Sequence, residues 1–341
     1  MRAWLMVAVA TLLLAPSACK GKKEKPKPHI TKRTKPAKIV VRKEIDYRPP
    51  YVLVSVKVVE PGESPVERRY QRPVNKLIEH RILTHLSVEE TLNGKKEKID
   101  LPPIRTALEM KIGAERSLFR GIPAFIDTKS QQQRVAAWAY LERRRDRVSR
   151  KAGMLYLSST YQIGEIVPAF PDADIRREFA AILANNIITL PVEPIGIGGS
   201  WKVTYLLSNG GRETETVCSY TLKSMKGKLL EIEVATIETG KPQKLLSSDI
   251  PAEATAYLVD LRRTVKGTVL VDLHMPFPVS GTLTSSYLFK GKSSQGNETS
   301  TFESKISSTI ELTSKIVDRE IGKGDPPRDE PPRPFKRVDH N

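Results

Sequence analysis

Run after run of residues between 46 and 318 alternates apolar with polar side chains, and a period of two fits strands with one buried face. IRTALEMKI sets Ile104, Thr106, Leu108, Met110 and Ile112 against Arg105, Ala107, Glu109 and Lys111. WKVTYLL puts Trp201, Val203, Tyr205 and Leu207 on one face. The NGG at 209–211 then supplies a turn, and ETETVCSYTLKSM returns with Thr216, Cys218, Tyr220 and Leu222 in phase, which reads as a hairpin. The pattern continues through 229–238, 254–261, 268–275, 281–289 and 302–316, the last with Phe302, Ile306, Ile310, Leu312 and Ile316 on one side. Strands joined by short turns pair antiparallel, turning one face to a core and the other to water.

Two segments break the alternation. DADIRREFAAILANN (172–186) spaces Ile175, Phe179, Ile182, Leu183 and Asn186 for a helix behind an aspartate cap. SQQQRVAAWAYLERRRDRVSR (130–150) does the same with Val135, Trp138, Leu141 and Val148. The fold class expected is therefore mainly β with α (α+β): large twisted antiparallel sheet or sheets packed with one or two helices. Residues 46–318 make up this β-rich globular domain, as one unit or as halves of about 46–170 and 188–318 joined by the 172–186 helix. Residues 319–341 read as a disordered tail, since GKGDPPRDEPPRPFKRVDHN (322–341) is rich in proline and charge and nearly free of apolar side chains.

Residues 1–18 have the layout of an export signal: Arg2, an apolar core from Trp4 to Leu14, then small residues. That core is eleven residues long, short of the ~20 a membrane-spanning helix needs. It ends on Ser17, Ala18 and Cys19, which resembles the lipobox of bacterial lipoproteins, although Pro16 stands where leucine is usual. The resemblance implies a lipid on Cys19. Lys20, in place of an inner-membrane retention aspartate, implies an outer-membrane address facing the periplasm. Residues 19–45 form a Lys- and Pro-rich disordered tether that supplies +10 of the chain's +17 between positions 20 and 43. Behind an export signal, nucleic acid is not a partner; anionic lipid headgroups or cell-wall polymers are, unless the tether is a plain spacer. With Cys19 lipidated, Cys218 has no intramolecular partner, which excludes a disulfide framework and a cysteine-built zinc site.

At LPVEPIGIGGSWKVTY (190–205) a helix is followed by Leu190, Pro191, Pro194, Gly196, Gly198 and Trp201, the last opening a strand. This arrangement, with the strand-turn-strand YTLKSMKGKLLEIEVA after it, resembles an uncharacterised family of bacterial exported proteins, many of them lipoproteins. The resemblance implies an exported β-rich domain and brings no catalytic residues with it. From the residues themselves, Pro191, Gly196, Gly198 and Trp201 read as a structural motif, a tight turn that lets Trp201 pack beneath the sheet.

Searching for chemistry yields exclusions. The Gly-x-Gly motif follows a helix and prolines, where a dinucleotide loop needs a strand before it and a helix after it. The GKS at 291–293 has Ser286 where a phosphate loop needs its leading glycine. His29 and His340 lie in the tails, and His80 and His85 have opposite parity in a strand over 77–92, so they cannot share a metal. Glu89 and Glu90 likewise point apart, and ERRRDR (142–147) reads as the wet side of a helix. No catalytic residue, metal or cofactor is expected. The reading is a non-enzymatic, membrane-anchored envelope lipoprotein in the periplasm, a binding or structural module for an envelope protein or wall component. The alternative is a carrier that holds an acyl chain in a curved sheet, with HMPFPVSG (274–281) as an apolar lip and not a buried corner. The two differ inside: a carrier needs a continuous hollow, and the module has no cavity beyond a few hundred Å3, the lower end of ligand pockets.

Overall fold

A computed structural model describes residues 50–114, 116–126, 128–131, 133, 134, 137, 152–157, 163–168, 173–209, 211–246, 250, 251 and 253–321. The export signal with Cys19, the tether before residue 50 and the tail from 322 lie outside the described residues. The elements are β1 (Tyr51–Glu60), β2 (Glu63–Val66), β3 (Leu77–Leu92), β4 (Lys95–Lys111), β5 (Arg116–Ile126), β6 (Ala152–Leu157), β7 (Ile163–Pro168) and α1 (Ala173–Asn186). After the helix come β8 (Ile195–Ile197), β9 (Ser200–Asn209), β10 (Arg212–Lys226), β11 (Leu229–Gly240), β12 (Gln243–Lys244), β13 (Ala254–Asp272), β14 (Ser280–Gln295) and β15 (Glu298–Val317).

Thirteen of these strands make one antiparallel sheet in the order β1-β9-β10-β11-β13-β14-β15-β3-β4-β5-β6-β7, with β12 attached to β13; β2 and β8 pair separately. The expected halves 46–170 and 188–318 are not separate sheets. β1 joins β9 (Val56 opposite Val203), and β3 joins β15 along its whole length (Leu77 opposite Val317, Leu92 opposite Phe302). The fold is mainly β, and α+β describes it only loosely. Within 130–150, the described Gln131, Gln133, Arg134 and Ala137 are helical, and the rest of that expected helix lies outside the described residues.

The sheet is rolled around α1. The helix packs on β9 and β1 at one edge of the sheet and on β7 at the other. A twisted sheet of this many strands curls readily, and here the curl buries one face against the helix. Phe179 and Leu183 of α1 are fully buried among Met110 and Phe119 from one end of the strand order and Trp201, Val203 and Leu222 from the other. The long central strands run past the helix to a second apolar cluster on the same face, formed by Val88, Leu258, Leu261, Phe289, Phe302 and Ile306. The segments 254–261 and 268–275, expected as two strands, fall in one, β13, which ends at Asp272 and leaves 273–275 outside it. A bulge between Leu258 and Asp260 resets the phase, and Gly267 lets β14 approach so closely that a Cβ there would lie 2.1 Å from the Thr282 carbonyl oxygen.

The outer face is charged. Across β14, β15 and β3, Lys290 Nζ lies 3.1 Å from Glu303, Lys305 Nζ 3.0 Å from Glu303 and 3.7 Å from Glu89. Two outer-face carboxylates depart from the wet role their parity suggests: Glu79 is 5% exposed and Glu109 is 0% exposed. Arg319, the first residue of the stretch expected as a disordered tail, is instead held in place and bridges them, with Nη2 2.5 Å from Glu79 and Nη1 on Glu109, while Arg81 and Arg120 hold their other oxygens. Burial pushes the Glu79 carboxyl up, but hydrogen bonds from Arg319 and Arg81 outweigh it and hold the group below the usual carboxylate range.

Candidate functional site

Where the rolled sheet passes the C-terminal end of α1, the interior leaves a cavity of about 110 Å3. Its floor is made by strand residues whose alternation turns them inward: Cys218 and Tyr220 of β10, Val234 and Thr236 of β11, Val265 and Val269 of β13. The half-buried members of the lining, namely Ile82, Asn185, Asn186, Arg263 and Ile310, mark its mouth. The lining is mostly apolar, and Arg263 is its one charged side chain.

The helix end above the cavity is capped by side chains. Asn185 and Asn186 donate back to the carbonyls of Ala181 (2.6 Å) and Ile182 (2.8 Å), and the Tyr205 hydroxyl donates to Ala184 (3.3 Å). Just past the helix, Tyr70 donates to Ile188 O and Trp201 Nε1 to Thr189 O, both at 2.8 Å. Of these, the bond to Ala184 O satisfies a carbonyl that the helix terminus otherwise leaves open, and the bonds to Ile188 and Thr189 tie down the segment that leaves it. With its amide hydrogens drawn back to the helix, Asn185 presents Oδ1 to Arg263 Nη1 at 3.1 Å. Glu238 approaches the same nitrogen at 3.6 Å, and Arg263 Nε reaches Ser285 Oγ at 3.5 Å.

Cys218 is the free cysteine of the described residues, buried at the cavity floor. Its sulfur accepts from Thr236 (3.3 Å) and donates to the Tyr205 hydroxyl (3.8 Å). Burial, reinforced by Cys218, raises the Tyr205 and Tyr220 phenols well above their ordinary value. The sulfur thus sits between the Thr236 and Tyr205 hydroxyls.

His80, fully buried on β3, stacks on Phe277 with ring centroids 4.6 Å apart. Its Nδ1 faces Ser314 Oγ at 2.8 Å, and that hydroxyl donates to Pro278 O at 2.6 Å; its Nε2 faces Asn186 Oδ1 at 3.2 Å. Both ring nitrogens therefore meet acceptors, and a neutral imidazole has one hydrogen to offer them. Burial nevertheless dominates and lowers the pKa from 6.5 to about 4, against the opposing hydrogen bond to Asn186. The unfolded chain takes up the proton first as pH falls, so stability contributed by neutral His80 is whole above about pH 6.5 and is lost towards pH 4. The shift corresponds to roughly 3 kcal/mol. Urea midpoints measured between pH 7 and 4.5 should fall more steeply for the natural chain than for His80→Gln; equal slopes would exclude this titration.

His85 lies on the opposite face, exposed, with Nε2 3.8 Å from Glu311, so the two histidines share nothing. The segment 274–281 forms a buried corner and not a lip: Met275 is buried and Phe277 is 0% exposed.

The expected motif residues stand away from the cavity. Trp201 is 0% exposed at the start of β9, with Tyr220 at 5.2 Å between ring centroids. Pro191 is buried, its carbonyl accepting from Arg69 at 3.3 Å. Gly198 has φ +78, a left-handed conformation that favours glycine, and its N–H donates to Leu222 O at 2.8 Å. Gly196 serves close approach, since a Cβ there would lie 1.7 Å from the Glu63 carbonyl oxygen. Cys19 lies outside the described residues. Among the described residues no cluster of potential metal ligands occurs, and no helix is long and apolar enough to cross a membrane.

No family model matches the chain, and no curated protein matches it. Among solved structures, a loop L8 deletion mutant of OmpT, an outer membrane protein of Vibrio cholerae, aligns at 6% identity and a TM-score of 0.23, over 69% of this chain and 99% of that one. OccK11 (OpdR) of Pseudomonas aeruginosa aligns at 6% identity and a TM-score of 0.17, over 74% and 99%. The TodX monoaromatic hydrocarbon channel, as its deltaS2 mutant, gives 7% and 0.15 over 72% and 91%. At these scores the likeness carries neither a fold assignment nor a function.

Proposed function

We propose that the chain is a non-enzymatic module of the cell envelope, anchored to the periplasmic side of the outer membrane by a lipid on Cys19. It binds or braces an envelope protein or wall component at the end of its basic tether. The observation that carries this reading is the filled interior. The sheet is curved, as a carrier's would be, but α1 occupies the hollow, and the cavity under its C-terminal end is about 110 Å3. That is below the range of drug-sized ligand pockets and far too small for a lipid acyl chain.

The outer face supports anchoring by lipid and not by the strands themselves. A membrane-spanning barrel carries an apolar band outside, whereas here the outer positions of β15 read Lys305, Ser307, Thr309, Glu311, Thr313 and Lys315. Lys20, Lys22, Lys23 and Lys25 follow the anchor site at once, where each adds up to ~1 kcal/mol of attraction to an anionic surface.

The test is Cys19→Ser in cells fed a radiolabelled or alkyne fatty acid, followed by detergent phase partition. The natural chain is expected to take up label and enter the detergent phase, and the variant to do neither. Label on the variant, or unchanged partition, would overturn the anchor. Native mass spectrometry showing a full-length lipid held noncovalently by the purified chain would favour the carrier instead.

A further inference from the structure

We propose that the cavity under the end of α1 is a binding site for a small organic anion, a short monocarboxylate whose apolar body enters the cavity and whose carboxylate meets Arg263. The inference goes beyond the anchored module above and does not depend on the lipid. It starts from how Arg263 is held. Nη1 is engaged by Asn185 and Glu238 and Nε by Ser285, three contacts from α1, β11 and β14 that orient the guanidinium from different sides. Nη2 has no partner among them, and the side chain is 23% exposed at the cavity mouth. An oriented guanidinium with unspent hydrogens suits a carboxylate better than a mobile ammonium would.

The rest of the lining fixes the body of the ligand. Val265, Leu283, Ile310 and Leu312 offer no hydrogen bonds, and on the floor Thr236 and Cys218 are spent on one another and on Tyr205, so the part that enters is apolar. A cavity of about 110 Å3 is smaller than the engineered apolar cavity of about 150 Å3 that accepts benzene, which limits the body to roughly three to five carbons. Glu238 is the competing charge. It stands behind Nη1, outside the lining, and weakens the attraction without blocking access.

The experiment is a titration of the purified full chain, 13C-labelled at valine, leucine and isoleucine methyls, with sodium butyrate and with butyramide, its neutral counterpart. Butyrate is expected to shift the Val265, Leu283 and Ile310 methyls saturably and to bind at least tenfold more tightly than butyramide. Arg263→Met should weaken butyrate at least tenfold and leave butyramide unchanged, with a thermal melt verifying that the variant is folded. If that variant does not fold, Glu238→Gln decides, since removal of the competing charge should tighten butyrate severalfold and leave butyramide unaffected. Equal binding of the two compounds, indifference to these variants, or no saturable methyl shift would overturn the proposal. None of these outcomes bears on the Cys19 label, so the two proposals fail separately.

Discussion

Trp201→Ala is expected to cost about 3–5 kcal/mol of unfolding free energy, the range for a fully buried large aromatic side chain. The indole does two jobs at once. It fills the space between β9, β10 and the segment after α1, and its Nε1 donates to Thr189 O, so truncation opens a void and strips a buried carbonyl of its partner. Trp201→Phe keeps most of the volume and loses only the hydrogen bond, so it should recover more than half of the deficit. Urea unfolding followed by circular dichroism measures both; a loss below 1 kcal/mol for the alanine variant would contradict this account.

The second large effect belongs to Arg319. Arg319→Met removes the guanidinium that bridges Glu79 and Glu109 and leaves Arg81 on the first buried carboxylate and Arg120 on the second. Breaking a buried ion pair from one side costs about 3–5 kcal/mol, and here the remaining arginines keep the loss near the lower figure, about 3 kcal/mol at pH 7. The pH dependence has a definite sign. Glu79 titrates lower in the folded chain than in the unfolded one, so its contribution is full above the ordinary carboxylate range and fades as pH falls through the folded value. The gap between natural chain and variant should therefore narrow in acid. A gap that is constant from pH 7 to pH 3 would mean that Arg319 acts by packing and not by charge.

Much of the sheet was legible in the sequence because each strand carries its own alternation. Trp201, Val203, Tyr205 and Leu207 point inward as their parity requires, and so do Thr216, Cys218, Tyr220 and Leu222. What alternation does not encode is which strand pairs with which. Nothing in 77–92 marks 298–317 as its neighbour, because such a pairing is settled by the whole sheet closing around α1. Glu79 and Glu109 were legible as outward-facing but not as buried, since the residue that covers them arrives about 240 and 210 positions later in the chain.

The cavity was missed for a similar reason: its lining comes from the helix end and six strands. Two local signals pointed to it nonetheless. Arg263 sits between Leu261 and Val265 on the apolar phase of β13, where an arginine is out of place, and Asn186 occupies the apolar stripe of α1. A polar residue in the buried phase of an amphipathic element needs a partner, and each of these two has one, His80 for Asn186 and Asn185 for Arg263.

The position of β15 has a consequence for how the chain comes together in time. It is the last of the described strands to leave the ribosome, yet it lies in the middle of the sheet, between β14 and β3. Until residues 298–317 arrive, β3 and β14 each present a bare edge of sixteen residues, the kind of template on which unfinished chains stick to one another. β15 pairs with β14 through a local hairpin, but its pairing with β3 joins segments more than 200 residues apart, which makes closure slow. Synthesis from the first residue therefore cannot finish this sheet piecemeal: a chain cut short before residue 298 keeps β3 and β14 as two open edges.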